Sequence, residues 1–142
     1  MFFTLEGRVK NKEAVDIYVS NMLKELNLHR REASELSIKF VTKCEGDVLG
    51  LACGGCRWGE IEIARTQGGE NLQFLEQMLT LAHEMIHIKQ YMKGEMTDEP
   101  KAIWHGRNHD KTPYKKQPWE VEAHKKEYEL FAKSFPWWMP IN

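Results

Sequence analysis

The chain has 142 residues, of which 42% are hydrophobic and 29% charged, with ten glycines and five prolines. That is one ordinary domain with enough apolar material for a single core, and it excludes collagen-like, low-complexity and wholly disordered classes. Lys plus Arg numbers 20 against 21 for Asp plus Glu, a net charge of -1 that offers no global attraction to nucleic acid or to an anionic membrane.

The opening residues, Met1-Phe2-Phe3-Thr4-Leu5-Glu6-Gly7-Arg8, lack a basic stretch followed by an apolar one. No window reaches the roughly 20 apolar residues of a membrane helix. The expectation is a cytoplasmic protein without a membrane partner, in the host cytoplasm if the chain is virus-encoded. Cys44, Cys53 and Cys56 are an odd number at low density, which suits reduced thiols there.

From Asn11 to about Leu28, Ala14, Val15, Tyr18, Val19, Met22, Leu23 and Leu26 recur at helical spacing and predict an amphipathic helix. Between Leu36 and Arg65 the pattern changes to short β-branched runs, at 36–41, 48–52 and 59–64. These predict two or three strands, with Glu45-Gly46-Asp47 and Cys53-Gly54-Gly55-Cys56 as turns. The strongest helix spans Asn71 to Lys93, with Leu72, Leu75, Leu79, Ala82 and Ile86 as its apolar stripe and Gly94 after it. Residues 95–117 read as a long loop with one helical turn near Lys101 to Trp104. Pro118 opens a last helix to about Ser134, and an aromatic tail, Phe135 to Pro140, is expected to pack back on the core.

The strong helix contains His83-Glu84-Met85-Ile86-His87. Residues four apart lie one turn above each other, so both imidazoles reach one cation, and the glutamate beside the first histidine is placed to accept a proton from water on that cation. Catalytic zinc needs a third protein ligand and an open position. In the last helix, Glu120 shares a face with Ala123, His124, Glu127 and Phe131 that points inward. Glu122 instead aligns with Lys126, Glu129 and Lys133 on a charged, solvated face. Glu120 is therefore the third-ligand candidate, with His124 placed to orient it or a ligating histidine. His105 and His109 in the preceding loop compete with it as ligands. They and Tyr114 are also candidates to hydrogen-bond a developing oxyanion.

His83 to His87 in a long helix, preceded by a strand such as 59–64 and followed by Pro118-Trp119-Glu120-Val121-Glu122-Ala123, resembles the zincin superfamily of zinc metallopeptidases. More narrowly it is similar to small SprT-like and phage-encoded metallopeptidases. The resemblance spans about Leu49 to Phe131. It implies an α+β, zincin-like single domain with an N-terminal helix, a small mostly antiparallel sheet, a long metal-binding helix and a C-terminal helix. It also implies an exposed edge strand, here Glu60 to Ala64, on which an extended peptide adds as a further strand.

In glutamate-ligand zincins the third ligand lies in Glu-x-x-Ala-Asp, which maps onto Glu120, Ala123 and His124, with histidine in place of aspartate. In SprT-like proteases it is a His-Gly histidine, which His105-Gly106 matches. The implied activity is peptide-bond hydrolysis with Zn2+ on His83, His87 and Glu120 and with Glu84 as general base, acting on a protein or peptide substrate. Two other classes compete: a zinc-binding module that cleaves nothing, and a DNA-associated protease using Arg107, Lys111, Lys115 and Lys116 to recruit nucleic acid. Cys53 and Cys56 are expected to be incidental to a hairpin turn rather than half of a second metal site with Cys44.

Overall fold

The computed structural model describes residues 1–140. Its main sheet begins with a strand not expected from local patterning, β1 (Phe2–Gly7), followed by helix α1 (Lys12–Glu25) and strand β2 (Glu35–Val41). Because α1 carries the chain back across the sheet, β1 and β2 run parallel, with Phe2 beside Glu35 and Gly7 beside Phe40. A hairpin follows, β3 (Gly50–Gly54) and β4 (Trp58–Ala64), closed where the Gly55 N–H donates to the Trp58 carbonyl at 2.9 Å. Cys53 and Cys56 thus flank a turn, as expected.

The spatial order is β1-β2-β4-β3. β4 inserts parallel to β2 and antiparallel to β3, so two of the three pairings in the main sheet are parallel, which corrects the expectation of a mostly antiparallel one. It also moves the edge. The expected edge strand, Glu60 to Ala64, belongs to β4 and pairs on both sides, because Ile61 and Ile63 are buried and demand a central position. The edge beside the helices is β3.

After a small hairpin of β5 (Thr66–Gln67) and β6 (Glu70–Asn71), helix α2 (Phe74–Met92) crosses behind β3 and β4. Its apolar stripe matches the expected one only in part, since Ala82 and Ile86 are buried and Leu79 packs against the core, but the buried surface is wider. Leu75 is 39% exposed, whereas Phe74, Met78, Leu81, Met85, Ile88 and Met92 are buried, because α2 is covered on one flank by the sheet and on another by the last helix. From Leu81 to Met92 almost every side is buried, so a single amphipathic stripe describes this helix poorly.

Residues 95–117 carry more regular structure than expected. A second small sheet forms from β7 (Met96–Thr97), β8 (Ile103–Trp104) and β9 (Arg107–Asn108), and the helical turn lies at Tyr114–Lys116 rather than near Lys101. Trp104 packs beside Tyr91, Met96 and Trp119 as a satellite cluster. Helix α3 (Pro118–Ser134) begins on its proline as predicted and lies against α2 and α1.

The main core joins α1, the sheet, α2 and α3 through Tyr18, Met22, Ile38, Ile61, Met78, Met85, Ala123 and Phe131. The Tyr18 hydroxyl, buried at the centre, donates to the Met78 carbonyl at 2.8 Å, as a buried phenol requires. In the aromatic tail Phe135 is buried edge-on to Tyr18, while Trp138 is 75% exposed and corrects the expectation that the whole tail packs inward. Among the described residues no helix is long and apolar enough to cross a membrane.

Candidate metal centre

Helical spacing places His83 and His87 one turn apart on α2, and the α2–α3 packing brings Glu120 over both. His83 Nε2 lies 3.0 Å from Glu120 Oε1, His87 Nε2 lies 3.1 Å from Glu120 Oε2, and the two Nε2 atoms are 3.2 Å apart. A tetrahedral cation with arms of about 2.0–2.1 Å holds its ligand atoms about 3.3 Å from one another. Each of these three contacts is within a few tenths of an ångström of that spacing, with the two carboxylate oxygens of Glu120 each facing one imidazole.

The electrostatics favour positive charge at the centre of the triangle. Burial pushes the Glu120 carboxyl up, but the hydrogen bonds from His83 and His87 outweigh it and hold the group well below the usual carboxylate range. Burial pushes His87 down, and its bond to Glu120 together with the Glu84 charge reverses the sign and raises it. Glu84 is buried, and burial raises its pKa against the opposing pull of His87 and His83. A carboxyl with a raised pKa is a better proton acceptor than an ordinary one.

The cleft above these residues has a volume of about 500 Å³ and is lined by Val48 to Ala52 on one side, His83, Glu84 and His87 on its floor, and Tyr114, Trp119 and Glu120 opposite. Gly50 lets β3 approach α2 here. A Cβ at that position would stand 2.8 Å from Thr80 Cγ2 and 3.1 Å from Glu84 Cγ.

Around the triangle, the Tyr114 hydroxyl donates to Glu120 Oε1 at 3.2 Å and lies 3.3 Å from His124 Nε2. Glu127 sits between two histidines, 3.0 Å from His124 Nδ1 and 3.7 Å from His83 Nδ1. His124 is 56% exposed, so the expected inward position holds only for its ring edge toward Tyr114 and His83.

Glu122 departs from its expected solvated face. Its side chain is only 19% exposed, bonded to Lys89 Nζ at 2.8 Å and to Gln90 Nε2 at 3.0 Å, because the α2–α3 contact continues one turn past the triangle. Burial opposes ionisation of Glu122, yet the Lys89 bond prevails and lowers its pKa to about 2. Lys89 also pairs with Glu95 at 2.8 Å.

His105 and His109 belong to neither of the two metal-capable clusters found among the described residues, His83-His87-Glu120 and His83-His124-Glu127. His105 and Gly106 have φ values of 46° and 81° and form the two-residue turn joining β8 to β9, with His105 exposed. His109 bonds Thr112 at 3.0 Å and abuts Trp119. The three cysteines join no such cluster either, and buried Cys44 is pushed up to about 11 by burial and by Glu62 and Glu84. Arg107, Lys111, Lys115 and Lys116 are all exposed.

Sequence reasoning missed Gln90, which is fully buried and bonds His87 Nδ1 through Oε1 at 2.8 Å. The available signal was a polar residue three positions after a ligand candidate, on the same helix face. Comparison with protein-family models, curated proteins and solved structures finds no match for this chain.

Proposed function

We propose that this protein is a zinc-dependent metallopeptidase of the zincin type, with His83, His87 and Glu120 as ligands and Glu84 as general base. The observation that carries the reading is the convergence of two imidazole nitrogens and the two oxygens of one carboxylate, in contacts of 3.0–3.2 Å, beside a second, buried carboxylate. Zinc held there supplies Lewis acidity toward a carbonyl oxygen and lowers the pKa of water to about 7.

The chain's own residues supply the rest. Glu84 takes the proton of the attacking water and delivers it to the leaving amine as the C–N bond breaks. Tyr114, with its hydroxyl at the same carboxylate, is placed to donate to the oxygen on which charge develops. The outer side of β3 offers unpaired backbone groups along the cleft, where an extended peptide adds as a fifth strand and brings its carbonyls past Glu84. Exposed Val48, Leu49 and Leu51 give this wall an apolar surface for substrate side chains.

The test is metal content and peptide cleavage across variants. About one zinc per chain in the wild type, lost in His83→Ala and Glu120→Ala and kept in His105→Ala, is the expected pattern. Glu84→Gln should keep the metal and lose nearly all cleavage of a peptide library. A wild type that takes up no zinc after reconstitution, or an active Glu84→Gln protein, removes the proposal.

A further inference from the structure

We infer that Gln90 is a positioning residue that fixes the tautomer of His87, and that α3 holds it in place through the same turn that presents Glu120. The inference rests on the metal-centre reading above and adds a residue that neither the helix motif nor its spacing identifies.

The geometry leaves the Gln90 amide one orientation. Its Nε2 faces two acceptors, the Trp119 carbonyl at 3.0 Å and Glu122 Oε1 at 3.0 Å, so the NH2 group is turned toward α3. Its Oε1 is then the end that faces His87 Nδ1 at 2.8 Å. A carbonyl oxygen only accepts, so Nδ1 must carry a proton, and the proton given up when His87 ligates a metal is then the one on Nε2 that faces Glu120, which leaves the lone pair on Nε2. That nitrogen is the one aimed at His83 and Glu120.

Lys89 completes the arrangement by bonding the same Glu122 oxygen at 2.8 Å, which fixes the carboxylate that fixes the amide. The chain therefore runs from Lys89 to Glu122, Gln90 and His87, crossing between α2 and α3 twice. Glu120 and Glu122 are two residues apart on α3, so one helix end supplies a ligand directly and orients another through Gln90. Partners of this kind are commonly worth 10–100-fold in metal affinity.

The experiment measures zinc affinity by chelator competition, using the metal alone, for wild type, Gln90→Met and the exchange Gln90→Glu with Glu122→Gln. Gln90→Met fills the volume with only a weak thioether acceptor for Nδ1 and no donor for Glu122, and should weaken zinc binding about 10–100-fold. The exchange restores an acceptor at position 90 and a donor at position 122, and should bind at least tenfold more tightly than Gln90→Met. Two-bond 1H–15N spectra of the zinc-loaded wild type should show His87 protonated at Nδ1.

His87 protonated at Nε2 in that spectrum overturns the inference whatever the variants do, which covers the case in which Gln90→Met fails to fold. A folded Gln90→Met protein with wild-type zinc affinity overturns it as well. Absence of zinc binding by the wild type removes the metal-centre reading and this one together, whereas the preceding two results remove this one alone.

Discussion

Gly50→Ala is the sharpest test of how β3 meets the helix carrying the histidines. The added Cβ would lie 2.8 Å from Thr80 Cγ2, 3.1 Å from Glu84 Cγ and 3.3 Å from the Glu62 carbonyl oxygen. Backbone fixes the last of these, and Thr80 has little freedom because its Oγ1 donates to the Glu76 carbonyl at 3.0 Å. Relief therefore requires β3 to move away from α2 or Glu84 to leave its position. Overpacking of this kind costs about 1–3 kcal/mol.

Thr80→Ser removes the nearest offending carbon while keeping the hydroxyl, and alone should cost about 0.8 kcal/mol or less for one methyl group. Combined with Gly50→Ala it should return roughly 1 kcal/mol, a coupling expected only between residues in contact. Denaturant melts of the four proteins, with zinc removed, measure the cycle. A Gly50→Ala cost within about 0.5 kcal/mol of zero, or strict additivity with Thr80→Ser, would refute the close approach.

Two further outcomes follow from the site. The Glu122 pKa falls from 4.5 to about 2 on folding, so its contribution is present above pH 4.5 and is lost as pH drops through about 2. The full shift corresponds to about 3 kcal/mol, which water at the margin of the pair reduces to roughly 1–2 kcal/mol. Wild type should lose that much more stability than Glu122→Gln between neutral and acid pH, and parallel pH–stability curves would contradict the pairing with Lys89. Chelation should lower the melting temperature by roughly 5–10 °C where zinc had stood at a hundredfold excess over its Kd. An unchanged melt would indicate that the histidines bind no metal in the folded state.

The helices, and the faces on which their candidate ligands lie, were legible from spacing alone. His83 and His87 four apart, and Glu120 on the face shared with Ala123 and Phe131, follow from 3.6 residues per turn, which is a local property of the chain. The two or three strands expected between Leu36 and Arg65, of which the structure forms three, were equally local, since alternation and turn residues mark them without reference to a partner.

Pairing and contact between elements were decided by the tertiary structure. β1 was missed because six residues at the chain start carry little alternation, and only parallel pairing alongside β2 makes Phe2–Gly7 a strand. Which strand became the edge depended on burying Ile61 and Ile63 in the middle of the sheet. That choice set β3, and not β4, beside the cleft.

Glu122 and Gln90 show the same division at the scale of single side chains. Along its own helix Glu122 belongs to a row with Lys126, Glu129 and Lys133, and nothing local distinguishes it from solvated neighbours. It is covered because α2 passes over the first turns of α3 and brings Lys89 and Gln90 to it from about 30 residues away in sequence. Periodicity places a residue on a face of its element. Only the packing of elements, governed by the apolar area that each contact removes from water, settles what that face meets.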